Sequence, residues 1–272
     1  MRTYSGPVYM DGVGQAGKSV EILGIISEGR MFRIFKARMG TRLVALKAPT
    51  VNDSMSESIL RREYELCRDL SHPCVVSTLG YESDTPAGPA IVMEYIEGRT
   101  LDEYIATAPS VARKKTVLKD ILDGVDYLHH RGILHNDLKP DNIIVNSNGS
   151  ARIVDFGLSA SDGSLYAGVS GGTDGYSAPE VLNGTGPSGA ASDIYSLGLL
   201  INLVFGGRRY RRQTRKCCRQ EPSERYRSID ELRKGLAAAD RLPFVLAAAA
   251  VSCVILAQIA LPLIRNHLEN NE

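Results

Sequence analysis

The strongest constraint on the fold is a pair of short motifs near the middle of the chain. Residues 135–142 read HNDLKPDN, and DFG follows at residues 155–157, thirteen residues after Asn142. The stretch between them, NIIVNSNGSARIV, has apolar residues on both sides of Asn148-Gly149, which predicts a β-hairpin that turns at this dipeptide. The pattern therefore sets a carboxylate, a lysine and an asparagine at short spacing, with a second carboxylate directly after a hairpin.

These side chains suit phosphoryl transfer, a reaction that depends on positioning and charge neutralisation more than on covalent chemistry. We interpret Asp137 as the group that orients and deprotonates a substrate hydroxyl. Lys139 would stabilise the charge that develops on the transferred phosphoryl group. Asn142 and Asp155 would hold Mg²⁺, which bridges phosphate oxygens.

The order of predicted elements indicates an α+β fold. Short runs rich in β-branched residues, separated by glycines, predict antiparallel strands from Val20 to about residue 49, and AIVMEYI predicts a further buried strand. The segments SMSESILRREYELCRDL, RTLDEYIA and ARKKTVLKDILDGVDYLHHRG have helical spacing of their apolar residues. In the last of these, one face carries five apolar side chains: Val117, Ile121, Leu122, Val125 and Leu128. The remainder to about Leu236 is mostly helical.

Over residues 22–238 the chain resembles the eukaryotic-type Ser/Thr protein kinases, and its compact form is similar to bacterial members. The resemblance rests on VALK, on EYELCRDLSHP, on HNDLKPDN and DFG, on GTDGYSAPE and on SDIYSLG, all in the family's order. It implies a two-lobed protein-kinase-like fold with a β-rich N-lobe and an α-rich C-lobe. The domain organisation we expect is a flexible arm at 1–19, an N-lobe at 20–97, a C-lobe at 98–238, a transmembrane helix at 242–264 and a short tail at 265–272.

The resemblance also assigns roles to residues around a nucleotide. It implies ATP and Mg²⁺ as cofactors, with Mn²⁺ able to replace Mg²⁺. Lys47 would contact the phosphates and pair with Glu63, and Met93 would be the gatekeeper. Glu94 and Ile96 would offer backbone hydrogen bonds to adenine. The remaining nucleotide contacts would come from the purine-sandwiching residues and one loop glycine: Ile26, Ile34, Ala45, Ile144 and Gly29.

Further residues correspond to the family's substrate and support positions. Thr173 should approach Asp137 near the substrate hydroxyl, as in Ser/Thr-specific members. Asp193 should brace the catalytic loop, and Glu180 should pair with Arg225. The expected partners are therefore proteins with Ser or Thr acceptors. The chain's 32 Lys plus Arg residues balance 31 Asp plus Glu, so global charge gives no reason to expect nucleic acid.

Three departures from the family pattern stand out. Aligned on Ile26 and Ile34, the Gly-rich loop reads Ser27, Gly29, Phe32, so that only the middle glycine remains. This is either harmless variation in a tolerant loop or a change that weakens or slows the binding of ATP. Asn136 stands where most members carry an Arg that pairs with an activation-segment phosphate. We therefore expect activity that does not depend on phosphorylation of that segment.

The third departure lies in the segment where the family has its αG helix. This region is short, and residues 208–219 read RRYRRQTRKCCR, with seven basic residues. Such a run could meet anionic lipid or an acidic substrate, or could be a solvated positive face.

A second phosphate-binding motif occurs near the start of the chain. Gly12, Gly17, Lys18 and Ser19 fit G-x-x-x-x-G-K-[ST]. A loop of that type needs a buried strand before it and a helix after it. GPVYMD is too short and broken for the strand, and VEILGIISEG reads as a β-strand. We therefore interpret this match as coincidental and Lys18 as a solvated residue.

The C-terminal segment has the character of a membrane span. Residues 242–264 read LPFVLAAAAVSCVILAQIALPLI, 23 residues without a charge. A helix of this length covers about 34 Å, enough for a hydrocarbon core of about 30 Å. The basic residues before it favour a cytoplasmic kinase domain on a single-pass membrane protein. Ala249, Cys253 and Ala257 offer a helix-pairing face for self-association.

Two other functions are compatible with parts of this pattern. A membrane-tethered pseudokinase or scaffold that binds ATP weakly would account for the altered Gly-rich loop, although Lys47, Glu63, Asp137, Asn142 and Asp155 are all present. A small-molecule kinase can share the spacing from Asp137 to Asn142. The segment GTDGYSAPE speaks against it, because in the family this segment serves a protein substrate groove.

Overall fold

The computed structural model describes residues 20–156, 160–161, 175–183 and 189–241. These residues form two compact units, one of 20–71 with 76–96 and one of 72–75 with residues from 97 onward. The predicted arm at 1–19 with its Lys18 motif, the predicted span at 242–264, and Gly157 and Thr173 lie outside the described residues. Among the residues described, no helix is both long enough and apolar enough to cross a bilayer.

The first unit is an antiparallel sheet with one helix. Its strands are β1 (Val20–Glu28), β2 (Phe32–Met39), β3 (Arg42–Pro49), β4 (Thr78–Glu82) and β5 (Ala90–Glu94), in the order β1-β2-β3-β5-β4. The helix α1 (Ser54–Cys67) follows β3, and its N-terminus is capped by Asp53, whose carboxylate accepts a hydrogen bond from the Ser56 N–H (2.7 Å). The unit's main apolar cluster includes Ala37, Val44, Leu46, Ala48, Ala90 and Val92.

Alternation along the central strands gives this sheet two different faces. Val44, Leu46 and Ala48 of β3 point into the apolar cluster. Ala45 and Lys47 therefore point to the opposite face. Because Ile34 pairs with Lys47 and Met93 pairs with Ala45 across the strands, those two side chains share that opposite face.

The second unit is mostly helical. It begins with β6 (Gly98–Thr100), α2 (Leu101–Ala106), α3 (Val111–His130) and β7 (Ile133–Leu134). A 3₁₀ turn (Pro140–Asn142) leads into the hairpin β8 (Ile143–Asn146) and β9 (Ala151–Ile153), and β10 (Ala160–Ser161) pairs with β7. The helices α4 (Pro179–Leu182), α5 (Ala190–Phe205), α6 (Arg211–Cys217) and α7 (229–241) complete it.

The predicted amphipathic helix and hairpin are both confirmed. All five predicted core residues of α3 are buried, and four of them, Val117, Ile121, Leu122 and Val125, share one large cluster with the apolar face of α5. The hairpin turns at the predicted place, where Gly149 has a φ of 83° that glycine adopts without strain. The stretch 72–75 belongs to this unit because Val75 pairs with Ile153, whose N–H donates to the Cys74 carbonyl (2.9 Å).

Candidate active site

The catalytic-loop motif folds around Asp137. Lys139 Nζ lies 2.7 Å from Asp137 Oδ2, and Asn142 Nδ2 donates to the same oxygen (3.0 Å) and to the Asp137 carbonyl (2.8 Å). The Asp137 N–H contacts His135 Nδ1 at 3.3 Å. Asp137 and Asn142 are largely buried, at 9% and 5% exposure. Sequence spacing thus correctly brings Asp137, Lys139 and Asn142 into one cluster.

The hairpin brings the second carboxylate to the same place. Ile143 pairs with Ile153, and the N–H of Val154, one residue further, donates to the Asn142 carbonyl (2.9 Å). Asp155 therefore follows directly on the residue bonded to Asn142. Its φ of 65° lies in the left-handed region, where Asp and Asn are enriched among non-glycine residues. This left-handed conformation lies two residues after the end of β9 and changes the chain direction at the second carboxylate.

Asp193, near the N-terminus of α5, is hydrogen-bonded to the backbone of the catalytic loop. It is fully buried and accepts hydrogen bonds from the backbone N–H groups of His135 (3.0 Å) and Asn136 (2.8 Å). His129 Nε2 contacts the same carboxylate at 2.8 Å. Burial alone raises the pKa of Asp193, but the hydrogen bonds, of which that from His129 is the largest, outweigh it and hold the pKa below its usual value. The bracing contact expected of Asp193 is present.

Asn136 has a backbone conformation that bears on its identity. Its φ is 63°, in the left-handed region, and its N–H donates a hydrogen bond to the Asp193 carboxylate. Asparagine is several-fold enriched there because its short polar side chain bonds locally, whereas a long side chain gains no such contact. The substitution thus removes an arginine and, at the same time, suits the strained backbone of this position.

Glu180 and Arg225 form the buried ion pair that the resemblance implies. The guanidinium and the carboxylate meet through two parallel contacts of 2.7 Å each, and Arg225 is 2% exposed. Ser192 Oγ also donates to Glu180 (2.9 Å). Burial raises the pKa of Glu180, but the hydrogen bond from Arg225 and further bonds outweigh this and lower it overall. The remaining donors of Arg225 reach three carbonyls, those of Ala191, Arg219 and Gln220.

In the first unit, Lys47 and Glu63 form a buried ion pair. Lys47 Nζ lies 2.7 Å from Glu63, with side chains only 3% and 2% exposed. The pair links β3 to α1, as the family resemblance implies. The same face of the sheet carries Ile34, Ala45 and Met93.

The β1–β2 connection contains a contact that sequence reasoning missed. Lys47 Nζ lies 5.1 Å from the centroid of the Phe32 ring, within the range of a cation–π interaction. Phe32 and Lys47 meet because β2 and β3 pair Phe32 with Pro49 and Ile34 with Lys47, which puts Phe32 on the face of Lys47. Finding the contact requires this register, which the residue pattern does not specify. The phenylalanine that stands at the family's third glycine position thus lies beside Lys47.

The surviving glycine has a steric reason to remain. The Gly29 N–H donates to the Phe32 carbonyl (2.9 Å), and a Cβ at Gly29 would lie 3.1 Å from that oxygen. Thr50 adds two contacts, from its hydroxyl to the Gly29 carbonyl (3.3 Å) and from its N–H to the Met31 carbonyl (2.8 Å). The turn is therefore compact even without the other two glycines.

The residues expected around adenine are described within their own units. Ala45 and Met93 are buried, Ile34 is partly buried and Ile26 is half exposed in the first unit, and Ile144 is partly buried in the second. The Glu94 N–H donates to the Ser77 carbonyl (3.0 Å), and its side chain accepts from the Ser77 N–H (2.8 Å). Both the N–H and the carboxylate of Glu94 are thus bonded to the Ser77 backbone. Ile96 follows β5 and is partly buried.

Comparison with known protein families matches residues 18–240 to the Protein kinase domain. The chain belongs to the protein kinase domain family. The chain is 38% identical over 155 residues to CBL-interacting serine/threonine-protein kinase 8 of Arabidopsis thaliana, covering 54% of this chain and 34% of that protein. It is 32% identical over 200 residues to MAP kinase kinase MKK1/SSP32 of Saccharomyces cerevisiae, covering 70% and 39%. It is 32% identical over 199 residues to serine/threonine-protein kinase PknB of Mycobacterium tuberculosis, covering 69% and 32%.

The kinase therefore matches only about a third of the length of these relatives. A protein kinase domain generally implies ATP and a divalent metal ion. The described residues fit such a metal: Asn142 uses its amide NH₂ toward Asp137, which leaves the amide oxygen for coordination, and Asp155 supplies a carboxylate. Oxygen donors of this kind are what Mg²⁺ prefers.

Proposed function

We propose that this chain is a membrane-anchored Ser/Thr protein kinase that transfers the γ-phosphate of ATP to protein hydroxyls. The observation that carries the proposal is the cluster around Asp137, with Lys139 and Asn142 both bonded to one carboxylate oxygen. A carboxylate held at a defined position can accept the proton of a substrate hydroxyl as it attacks. Lys139, within hydrogen-bonding distance of that carboxylate, supplies positive charge where phosphoryl charge develops.

Asn142 and Asp155 are the residues that we assign to the metal. When bound, Mg²⁺ neutralises phosphate charge and orients the transferred group. The chain's own contribution is to hold the two oxygen donors in place. The Val154 N–H fixes the Asn142 carbonyl, and Asp155, the next residue, has a left-handed backbone conformation.

Lys47 is the residue that we assign to the nucleotide phosphates, and Glu63 fixes its side chain. The pair is buried, so that neither charge is compensated by water and each depends on the other. Ile34, Ala45 and Met93 on the same face of the sheet offer the apolar surface that a purine needs. We assign Ile26, Gly29, Ile96 and Ile144 to the same nucleotide, as the family resemblance implies. The carbonyl of Glu94 is the adenine contact proposed for that residue.

We also propose that activity does not require phosphorylation of the activation segment. Asn136 lacks the positive charge with which the usual arginine binds a phosphate. The loop that carries Asp137 is held instead by Asp193, through two backbone N–H groups that are present whether or not a phosphate is added. Thr173 would approach the substrate hydroxyl.

Membrane attachment through 242–264, with the kinase domain on the cytoplasmic side, completes the proposal. It is supported by the 23 uncharged residues of that segment and by their length relative to a bilayer. The flanking Arg241 and Arg265 favour ends that stay in the headgroup region. Lipid would thus be a partner in addition to protein substrates, and self-association would use the small residues of the span.

The decisive test is phosphate transfer by the purified chain. We expect label from γ-labelled ATP with Mg²⁺ to appear on serine or threonine of a generic protein substrate. Asp137→Asn should lower the rate at least about 100-fold, because the proton acceptor is lost. The matched control is Asp141→Asn, which removes an exposed carboxylate in the adjacent 3₁₀ turn and should change the rate little. Prior phosphatase treatment should leave the rate unchanged.

Two outcomes would replace the proposal. If neither the natural chain nor either variant transfers label to protein, the assignment as a kinase is overturned and a membrane-tethered scaffold is favoured. The Phe32 ring beside Lys47 is the observation that favours that second candidate, since it occupies one side of the lysine that phosphates must reach. Label on small metabolites, without label on protein, would favour a small-molecule kinase.

A further inference from the structure

The helix α6 and the turn before it expose a group of arginines that we name the arginine face, consisting of Arg208, Arg211, Arg212 and Arg215. All four are exposed, and in the part of the chain that the structure describes none of them forms an ion pair with a carboxylate. The opposite side of α6 is buried through Gln213 and Cys217, which is the arrangement of an amphipathic helix. The arginine face is therefore a concentrated, uncompensated positive charge.

The neighbouring basic residues behave differently. Arg209 pairs with Asp240 (2.9 Å), and Lys216 pairs with Glu231 (2.7 Å). Both carboxylates belong to α7, so these two pairs attach α6 and the turn before it to that helix. The four arginines of the arginine face are thus not needed to hold α6 in place.

Further contacts fix where α6 lies relative to the end of α7. The Tyr210 hydroxyl donates to Asp240 (2.9 Å), and Gln213 Nε2 donates to the Gly235 carbonyl (3.2 Å). On its other side α6 packs closely on α5, since a Cβ at Gly198 would lie 2.5 Å from Cys217 Cβ. The start of α6 is therefore held beside the last turn of α7.

The apolar segment begins at this same place. Leu242 follows Asp240 by two residues, and consecutive Cα atoms are about 3.8 Å apart, so their Cα atoms lie within about 7.6 Å of each other in any conformation. Arg209 and Tyr210, which both contact Asp240, therefore lie close to the end of the described range at residue 241, after which the uncharged run begins. A bilayer that received residues 242–264 would have its headgroups beside α6.

We propose that the arginine face binds the anionic headgroups of the membrane that holds the apolar segment. The proposal rests on the membrane attachment given under Proposed function. Each arginine near an anionic surface contributes roughly a fivefold factor to binding, and several act together. An acidic peptide would match the same charge, but the nearness of residue 242 favours lipid. Docking would fix the orientation of the kinase domain on the membrane.

The test uses the full chain reconstituted into nanodiscs of phosphatidylcholine alone, or of phosphatidylcholine with phosphatidylserine. Hydrogen–deuterium exchange of the backbone amides of 208–219 is the readout. We expect exchange at least about fivefold slower in the anionic discs, and no difference at high salt, which screens the charges. Replacing all four arginines by glutamine should abolish the difference. A control variant that loses the same positive charge elsewhere should keep the difference between the discs. It combines four substitutions: Arg42→Gln, Arg68→Gln, Arg99→Gln and Arg113→Gln.

The outcomes separate this inference from membrane attachment itself. Incorporation into neutral discs with equal exchange in both disc types overturns the arginine face as a lipid site and leaves the attachment standing. The lipid site is likewise overturned if the four-glutamine variant keeps the difference, or if that variant instead raises KM for an acidic peptide without any lipid effect. A chain that fails to enter neutral discs overturns the attachment, and the inference with it.

Discussion

The catalytic loop of the second unit and the β1–β2 turn of the first unit are held in very different ways. Around Asp137 the backbone is bonded to a fully buried carboxylate, that of Asp193. The β1–β2 turn is held by backbone contacts with Thr50 and by the exposed pair of Arg33 with Glu28. Buried, charge-assisted contacts resist change far more than exposed pairs do.

This difference explains where the chain departs from its family. The turn has lost two of three glycines and yet forms a compact connection, because its remaining contacts involve backbone groups that other side chains leave in place. In the catalytic loop the only departure is Asn136, whose contact with Asp193 is made by its backbone N–H. In both regions sequence has varied where the structure relies on the backbone.

The largest effect should follow from breaking the buried pair of the second unit. Arg225→Met is expected to lower the free energy of unfolding by about 3–5 kcal/mol, because Glu180 is left as a buried charge without its partner. Denaturant unfolding would measure this. The double variant Glu180→Gln with Arg225→Met should recover part of the loss, since it leaves no unpaired charge. A loss below about 1 kcal/mol for the single variant would contradict the claim that buried, charge-assisted contacts stabilise this protein more than exposed ion pairs do.

Nucleotide binding should depend on Lys47 and not on the lysine of the N-terminal motif. Lys47→Met is expected to weaken ATP binding by about 10- to 100-fold, the range for losing a hydrogen bond to a charged group. Lys18→Met, which alters the G-x-x-x-x-G-K-S match, should leave the affinity unchanged. Isothermal titration with ATP and Mg²⁺ would compare the two. A large loss only with the Lys18 variant would reverse the assignment.

Asn136→Arg tests whether asparagine suits its backbone. Since Asn136 has a φ of 63°, arginine there should reduce the free energy of unfolding by about 1 kcal/mol. Asn136→Gly, which adopts this conformation freely, should cost less than the arginine variant. Thermal unfolding of the three proteins provides the measurement. Equal stability of the arginine variant and the natural chain would show that backbone strain does not govern this position.

The smallest effect is expected at Phe32. Phe32→Gly should tighten ATP binding by about two- to fivefold, because the cation–π contact with Lys47, worth about 0.5–1 kcal/mol, no longer competes with phosphate. Phe32→Leu, which keeps bulk but has no aromatic face, should have an intermediate affinity. The change should appear in KM for ATP more than in kcat. Unchanged or weaker binding by the glycine variant would mean that the ring assists nucleotide binding.

Local patterns predicted much of the fold. The spacing of Val117, Ile121 and Leu128 was sufficient for α3 because an amphipathic helix is defined by its own periodicity. The hairpin followed from Asn148-Gly149 for the same reason. The strands β4 and β6 were not predicted, since they are short and are stabilised by pairing with strands distant in the sequence.

The same distinction between local and long-range signals applies to the candidate site. Asp137, Lys139 and Asn142 lie within six residues, so their spacing alone predicted the cluster. The contact of His129 with Asp193 joins residues 64 positions apart, and neither residue has a local signal that names the other. The approach of Phe32 to Lys47 depends on the β2–β3 register. Long-range polar contacts were therefore predictable only where the family resemblance supplied both partners.

Close packing at Gly198 connects α5 to α6, in addition to the contact of α5 with the catalytic loop. Asp193, which holds the catalytic loop, and Gly198, on which α6 is seated, are five residues apart on one helix, a distance of about 7.5 Å along its axis. A helix is stiff over one and a half turns. A load on α6 from the proposed membrane contact would therefore pass to the same short stretch of helix that holds the loop of Asp137.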